Sequence, residues 1–483
     1  MLITTIVLSF GLQIPNHPSE IVFPEYVFSV PQASEYREVL PGGTTVFIVE
    51  DRSLPLVNLS ATFRGGEYLD PEGRVGLSGM MASLVRSGGT RTMSAEDVDE
   101  KFAYFAARAS VSGGPTTVVA SLNCLSSNFE ESFKLWIDML HHPGFQASRI
   151  QLEKDEYIES MKQRNDFPSG ILRREYASLV YGDSYLGRHP TESSILSITV
   201  DDMREMHLKI ISPANMIISI SGDFNKDEML SLLSENLSGW DSTEAPVPPG
   251  EVTSVFVPGI YYIDQDVSQG GVRIGLRSLQ LGDPDAEAAI VMNHILGGGG
   301  FSSRITQRVR SDEGLAYSAG SRLSASPWGD GMWAAGFESK SSTVALATVL
   351  VFDEIDKMCN EVVSNDELSL AKNALIEQFP NKFQSKAETL GVFVSDELTN
   401  RPKSYWENYR SKIRSVTKFD VQRIAKRLLQ PKNMVIVIVG NWEDIVAGDS
   451  AGRASLDDVL AASAGVVTEL PLRDPLTLEV STP

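Results

Sequence analysis

Gly76-Leu77-Ser78-Gly79-Met80-Met81-Ala82-Ser83-Leu84-Val85-Arg86-Ser87-Gly88-Gly89-Thr90 is the stretch on which the reading of this chain turns. Leu77, Met80, Met81 and Leu84 recur at helical spacing and predict one apolar face, and Gly88-Gly89 predicts the helix stop. Gly79, Ala82 and Ser83 stand at i, i+3 and i+4, which groups them on a second face. Just upstream, Val57, Leu59, Ala61 and Phe63 alternate with Asn58, Ser60 and Thr62, the pattern of a half-buried strand from Leu56 to Phe63. This second face is nearly blank chemically. Glycine and alanine offer no ligand or proton acceptor, and one serine hydroxyl is a poor zinc ligand.

Working outward, further elements follow from patterning. Pro41-Gly42-Gly43 turns into a strand from Thr44 to Glu50. Ser94 with Asp97 reads as an N-cap opening a helix to about Arg108. A hairpin from Val111 to Leu122 and helices over 129–140, 148–163 and 169–181 come next, and a helix from Val200 leads into a strand from Asn215 to Ser221. Pro246, Pro248 and Pro249 mark the best linker. Beyond it the pattern repeats. Ser197-Ile198-Thr199 and Pro213-Ala214-Asn215-Met216 match Ser415-Val416-Thr417 and Pro431-Lys432-Asn433-Met434, each pair 218 residues apart, as are Gly222 and Gly440. A constant offset points to a duplicated domain. The expected organisation is a lead-in at 1–34, a first domain at 35–240, a linker at 241–252, a second domain at 253–445 and a tail at 446–483 with one short helix from Ser455 to Ala462.

Composition bounds the function. The net charge of −21 argues against a nucleic-acid partner, and acidity is read here as a solubility property. Cys124 and Cys359 are too far apart in sequence to imply a disulfide framework and read as buried hydrophobes. No apolar run approaches a membrane span. Residues 1–12 have the length of a signal-peptide core without a preceding Lys or Arg, which favours a periplasmic or secreted location slightly over a cytoplasmic one. His17, His141, His142, His189, His207 and His294 include no i, i+4 pair, so each is assigned a structural or surface role. The Gly448-Asp449-Ser450-Ala451-Gly452 run has no histidine downstream and reads as a turn, leaving little support for an autonomous serine enzyme.

The second half carries an informative run, Gly297-Gly298-Gly299-Gly300-Phe301-Ser302-Ser303-Arg304-Ile305-Thr306-Gln307-Arg308-Val309-Arg310-Ser311-Asp312-Glu313-Gly314-Leu315-Ala316-Tyr317-Ser318. Together with the strand and helix around Gly79, it resembles the pitrilysin/insulinase family of zinc peptidases over roughly residues 35–445. In that family the second helix face carries H-x-x-E-H and a later helix carries a third, glutamate ligand. Here those positions hold Gly79, Ala82 and Ser83, and the family spacing puts the third at Ser160. The resemblance implies an α+β fold of two tandem homologous domains, each with helices on a mostly antiparallel sheet, together half of a clamshell. It implies that Arg310 and Tyr317 hold substrate and stabilise a developing oxyanion, and that Gly297, Gly298, Gly299 and Gly300 form a substrate-binding loop. It also implies no metal in this chain, zinc in a catalytic H-x-x-E-H partner, a peptide substrate and a heterodimer. Ordinary packing of the Arg/Tyr pair and a plain helix cap at the glycines are the competing readings. A catalytically silent structural or assembly protein with the same fold is the alternative function.

Overall fold

The computed structural model describes residues 17, 28–241 and 243–480. The candidate signal segment at 1–12 lies outside these residues. The first half holds six strands, β1 (Arg37–Val39), β2 (Thr45–Glu50), β3 (Leu56–Arg64), β4 (Arg108–Gly113), β5 (Thr117–Leu125) and β6 (Met216–Gly222), with burial alternating most clearly along β5. They form one sheet in the order β1-β2-β6-β3-β5-β4, antiparallel throughout except for β2 beside β6. The second half repeats this with β7 (Gly259–Asp264), β8 (Gln269–Arg277), β9 (Ala316–Ser324), β10 (Met332–Lys340), β11 (Val435–Gly440) and β12 (Val467–Glu469), in the order β12-β7-β11-β8-β10-β9. The expected α+β class, with helices on two mostly antiparallel sheets, is the observed one. β12 comes from the segment read as a tail, and it occupies the sheet edge that β1 occupies in the first half.

A central strand of each sheet is packed on both faces. Ile436 and Ile438 of β11 face the core of their own half, whereas Val435, Val437 and Val439 pack on the helix Pro168–Tyr181 of the first half through Ile171, Leu172, Tyr176 and Val180. All six residues of β11 are therefore buried. The reverse arrangement covers the first sheet. The helix Lys386–Thr399 of the second half brings Phe393 to 5.9 Å from Phe47 of β2 and 5.5 Å from Tyr36. Pro168 and Lys386 stand 218 residues apart, the same offset as the repeat. Each half thus lends the other a helix.

Two differences from the sequence expectation have local causes. The helix capped by Ser94 ends at Tyr104 rather than near Arg108, because Ala106 turns the chain at φ 50° into β4. Helices Glu192–Ser197 and Lys226–Leu237 are present where none was expected. Among the described residues no helix is long and apolar enough to cross a membrane.

Candidate functional site

The helix Leu77–Ser87 starts at Gly76, whose φ of 103° suits glycine alone. Its cap comes from outside the helix: the Asp70 carboxylate accepts from the Gly76 and Ser78 amides, both at 2.8 Å. Burial raises the Asp70 pKa and these hydrogen bonds oppose the rise. Leu77, Met80, Met81 and Leu84 are all buried, as the spacing predicts. The second face is less uniform than the sequence implies. A Cβ at Gly79 would meet open space, but Ala82 is fully buried beneath β4. There a Cβ on Gly113 would lie 3.2 Å from the Gly79 Cα and 3.4 Å from the Ala82 Cβ. Small residues on both sides let edge strand and helix close together, and Arg86 donates to the Ala109 carbonyl of that strand at 3.0 Å.

The carboxylate that meets Ser83 comes from the same helix as Ser160. Glu153, two turns earlier on the helix Ala147–Lys162, meets the Ser83 hydroxyl. Burial raises its pKa, and the serine hydrogen bond lowers it in part. Ser160 is exposed and its hydroxyl donates to the Tyr157 carbonyl at 2.8 Å. Glu153 carries no spacing signal of its own, so sequence reading had no means of selecting it. These side chains do not fit zinc: the one donor on the helix face is a serine already turned to a carboxylate. Among the described residues no group of three or more His, Cys, Asp or Glu is placed to hold a metal ion.

The second region lies on the other sheet. After the helix Ala286–Asn293 the backbone widens to π-type turns at His294–Gly298 and again at Thr306–Asp312. Thr306 ties the second of these to β9 by donating to the Ala319 carbonyl at 2.7 Å. The glycines have packing reasons: a Cβ at Gly297 would sit 2.5 Å from the Ser321 amide, and Gly300 turns at φ 62°. Three arginines in this segment then take different surroundings. Arg304 grips Glu367 through two hydrogen bonds of 2.7 and 3.2 Å, and Arg308 pairs with Glu313 at 3.2 Å. Arg310 pairs with no carboxylate among the described residues. Its guanidinium lies 4.5 Å from the centre of the Phe301 ring and 4.8 Å from that of Tyr317. Both rings are exposed, Tyr317 to 86%. Arg310, Tyr317, Gly297, Gly298 and Gly300 line one cleft of about 1040 Å³. The structure therefore brings together the second-half residues that sequence reading singled out, with Gly299 between them in the chain.

Gly448–Gly452 is a turn between the helices Trp442–Ala447 and Leu456–Ala462, with Asp449 bonded to Arg453 at 2.8 Å. No strand leads directly into Ser450, so no nucleophile elbow exists there.

Two sheet-and-helix units, the first with a helix face that offers no set of metal ligands, make up the described fold. Residues 197–375 match the family model described as "Peptidase M16 inactive domain", and the resemblance to the pitrilysin/insulinase peptidases holds. The chain is 23% identical to a protein of Helicobacter pylori described as "Non-peptidase homolog YmxG", over 86% of this chain and 96% of that one. It is 25% identical to an "Uncharacterized zinc protease" of Mycobacterium tuberculosis, over 71% and 76% respectively. A solved peptidase M16 inactive domain from Pseudomonas fluorescens shares the fold with a TM-score of 0.76 at 22% identity, covering 84% of this chain and 97% of that one.

Proposed function

We propose that this chain is the non-catalytic subunit of a heterodimeric zinc peptidase. It completes the peptide chamber and presents Arg310 and Tyr317 to substrate bound at a partner's site, where the partner's H-x-x-E-H helix would hold the zinc. The observation that carries the reading is Arg310, without an ion pair among the described residues and clamped between two exposed rings at a cleft large enough for an extended peptide. A cation held by packing and not by a carboxylate keeps its donors free. Aimed with the Tyr317 hydroxyl at a peptide carbonyl, it stabilises negative charge as that oxygen gains it. The blank helix at Gly79, Ala82 and Ser83 is what makes a partner necessary.

The test is reconstitution with an H-x-x-E-H chain. The chain alone should retain no zinc and cleave no unstructured peptide, whereas the complex should cleave. Tyr317→Phe and Arg310→Ala should leave assembly intact and each lower the complex's kcat/KM, by on the order of 100-fold for loss of one oxyanion donor. The double variant should lose less than the product of the two, because the pair shares one role. Full activity in an assembled double variant would favour the structural or assembly alternative. Failure of the two chains to associate at high concentration would remove the heterodimer.

A further inference from the structure

The lining of the cleft is cationic in a chain that is acidic overall. Acidic residues outnumber basic ones 63 to 42 in the chain, yet the charged residues lining the cleft are Arg273, Arg310, Arg322 and Lys340 against one carboxylate, Glu338. None of these four cations makes an ion pair among the described residues. Sheet register explains how they come to share one wall. Arg273 of β8 is paired with Gly336 of β10, and Arg322 of β9 is paired with Ala334, two residues along the same strand. Directly opposed residues project from the same face, and so do residues two apart. Lys340 and Glu338 continue that face of β10, opposite Gln269 and Gly271. Gly336 and Ala334 thus make a low floor between longer cationic side chains.

Arg273 is the most constrained of them. Its guanidinium lies 4.8 Å from the Tyr176 ring centre, on the helix borrowed from the first half, and its Nε is buried with no hydrogen-bond partner among the described residues. The polar contact it does make is weak, from Nη2 to the Met332 sulfur at 3.9 Å. A buried guanidinium N–H without an acceptor is costly until a carboxylate supplies one, and arginine accepts carboxylates in a two-point fork.

We propose that this cleft selects extended peptide segments rich in carboxylates, with Arg273, Arg322 and Lys340 reading their charge. The inference rests on the peptide-chamber reading above and names the substrate class for it. A polyanion such as single-stranded nucleic acid fits less well, since its long run of phosphates would meet the field of a molecule with net charge −21. A short acidic segment needs the local cationic wall alone.

The experiment compares fluorescent peptides of equal length that alternate Glu with Ser, Gln with Ser or Lys with Ser, binding to the full chain by anisotropy. The Glu peptide should bind roughly tenfold more tightly than the Gln peptide, and the difference should shrink as salt is raised. Arg322→Gln with Lys340→Gln, both at exposed positions, should shrink it as well, with unchanged thermal unfolding as the control for folding. Arg273→Gln should shrink it further. Equal affinity for all three peptides would overturn charge selection and leave the peptide-chamber reading standing. Binding of none would overturn both. Tighter binding of an oligothymidylate than of the Glu peptide would overturn the peptide assignment, and an unchanged preference in the three variants would overturn the residues named.

Discussion

Ala82 and Gly79 sit three residues apart on one helix and should respond in opposite ways to substitution. Ala82 is fully buried beneath an edge strand, so Ala82→Glu places a carboxylate where nothing pairs with it and should cost about 2–4 kcal/mol. Gly79 faces open space, so Gly79→Ala should stabilise the helix by up to about 1 kcal/mol. Chemical denaturation of the two variants measures both. Restoring a metal motif by substitution is therefore opposed by packing at its middle position. His207 offers a second residue-scale test. It is buried, with Nε2 2.7 Å from the Leu140 carbonyl, and burial lowers its pKa to about 4 from an ordinary 6.5. The unfolded chain then binds the proton first as pH falls, so the stabilisation is complete above pH 6.5 and lost progressively down to pH 4. The loss should reach about 3 kcal/mol, and His207→Gln should flatten that part of the stability curve. Arg310 and Tyr317 stand out in the sequence only through the resemblance of the run around them, and Phe301 as the second wall of the clamp does not stand out at all. Its contact with Arg310 depends on a π-type turn that no spacing rule announces.

At the scale of elements, the legible features were those with a strong local signal. The helix Leu77–Ser87 and strands β2, β3 and β6 follow from apolar period and glycine or proline punctuation. The 218-residue offset marks the repeat in the sequence alone. Boundaries failed where a single backbone conformation decides them, as at Ala106. The match of Ser160 to a ligand position by counting did not foretell which residue meets Ser83, since Glu153 does so from two turns away. The owner of each covering helix was also hidden. Pro168–Tyr181 reads as an ordinary amphipathic helix of the first half, and nothing in its spacing says that Ile171 and Tyr176 belong to the core of the second. Long-range partnership of this kind is a property of topology.

At the scale of the whole molecule, the exchanged helices make the halves depend on each other. Residues 28–241 alone would leave the outer face of the first sheet bare at Phe47 and Ile217, and residues 253–480 alone would leave Val435, Val437 and Val439 bare. Each segment expressed by itself should aggregate or remain without cooperative unfolding, and the two co-expressed should recover a soluble pair that melts in one transition. A stable, cooperatively folding first half would show that its borrowed helix is dispensable. The same exchange imposes an order of events during synthesis. The first sheet is complete in sequence at Gly222, but the helix that covers it begins at Lys386. At translation rates of about 5–20 residues per second, the ribosome needs on the order of 10–30 s to deliver that cover. Through that interval the nascent chain carries an uncovered apolar sheet face, which makes it a client for a chaperone that shields such surfaces until the second half arrives.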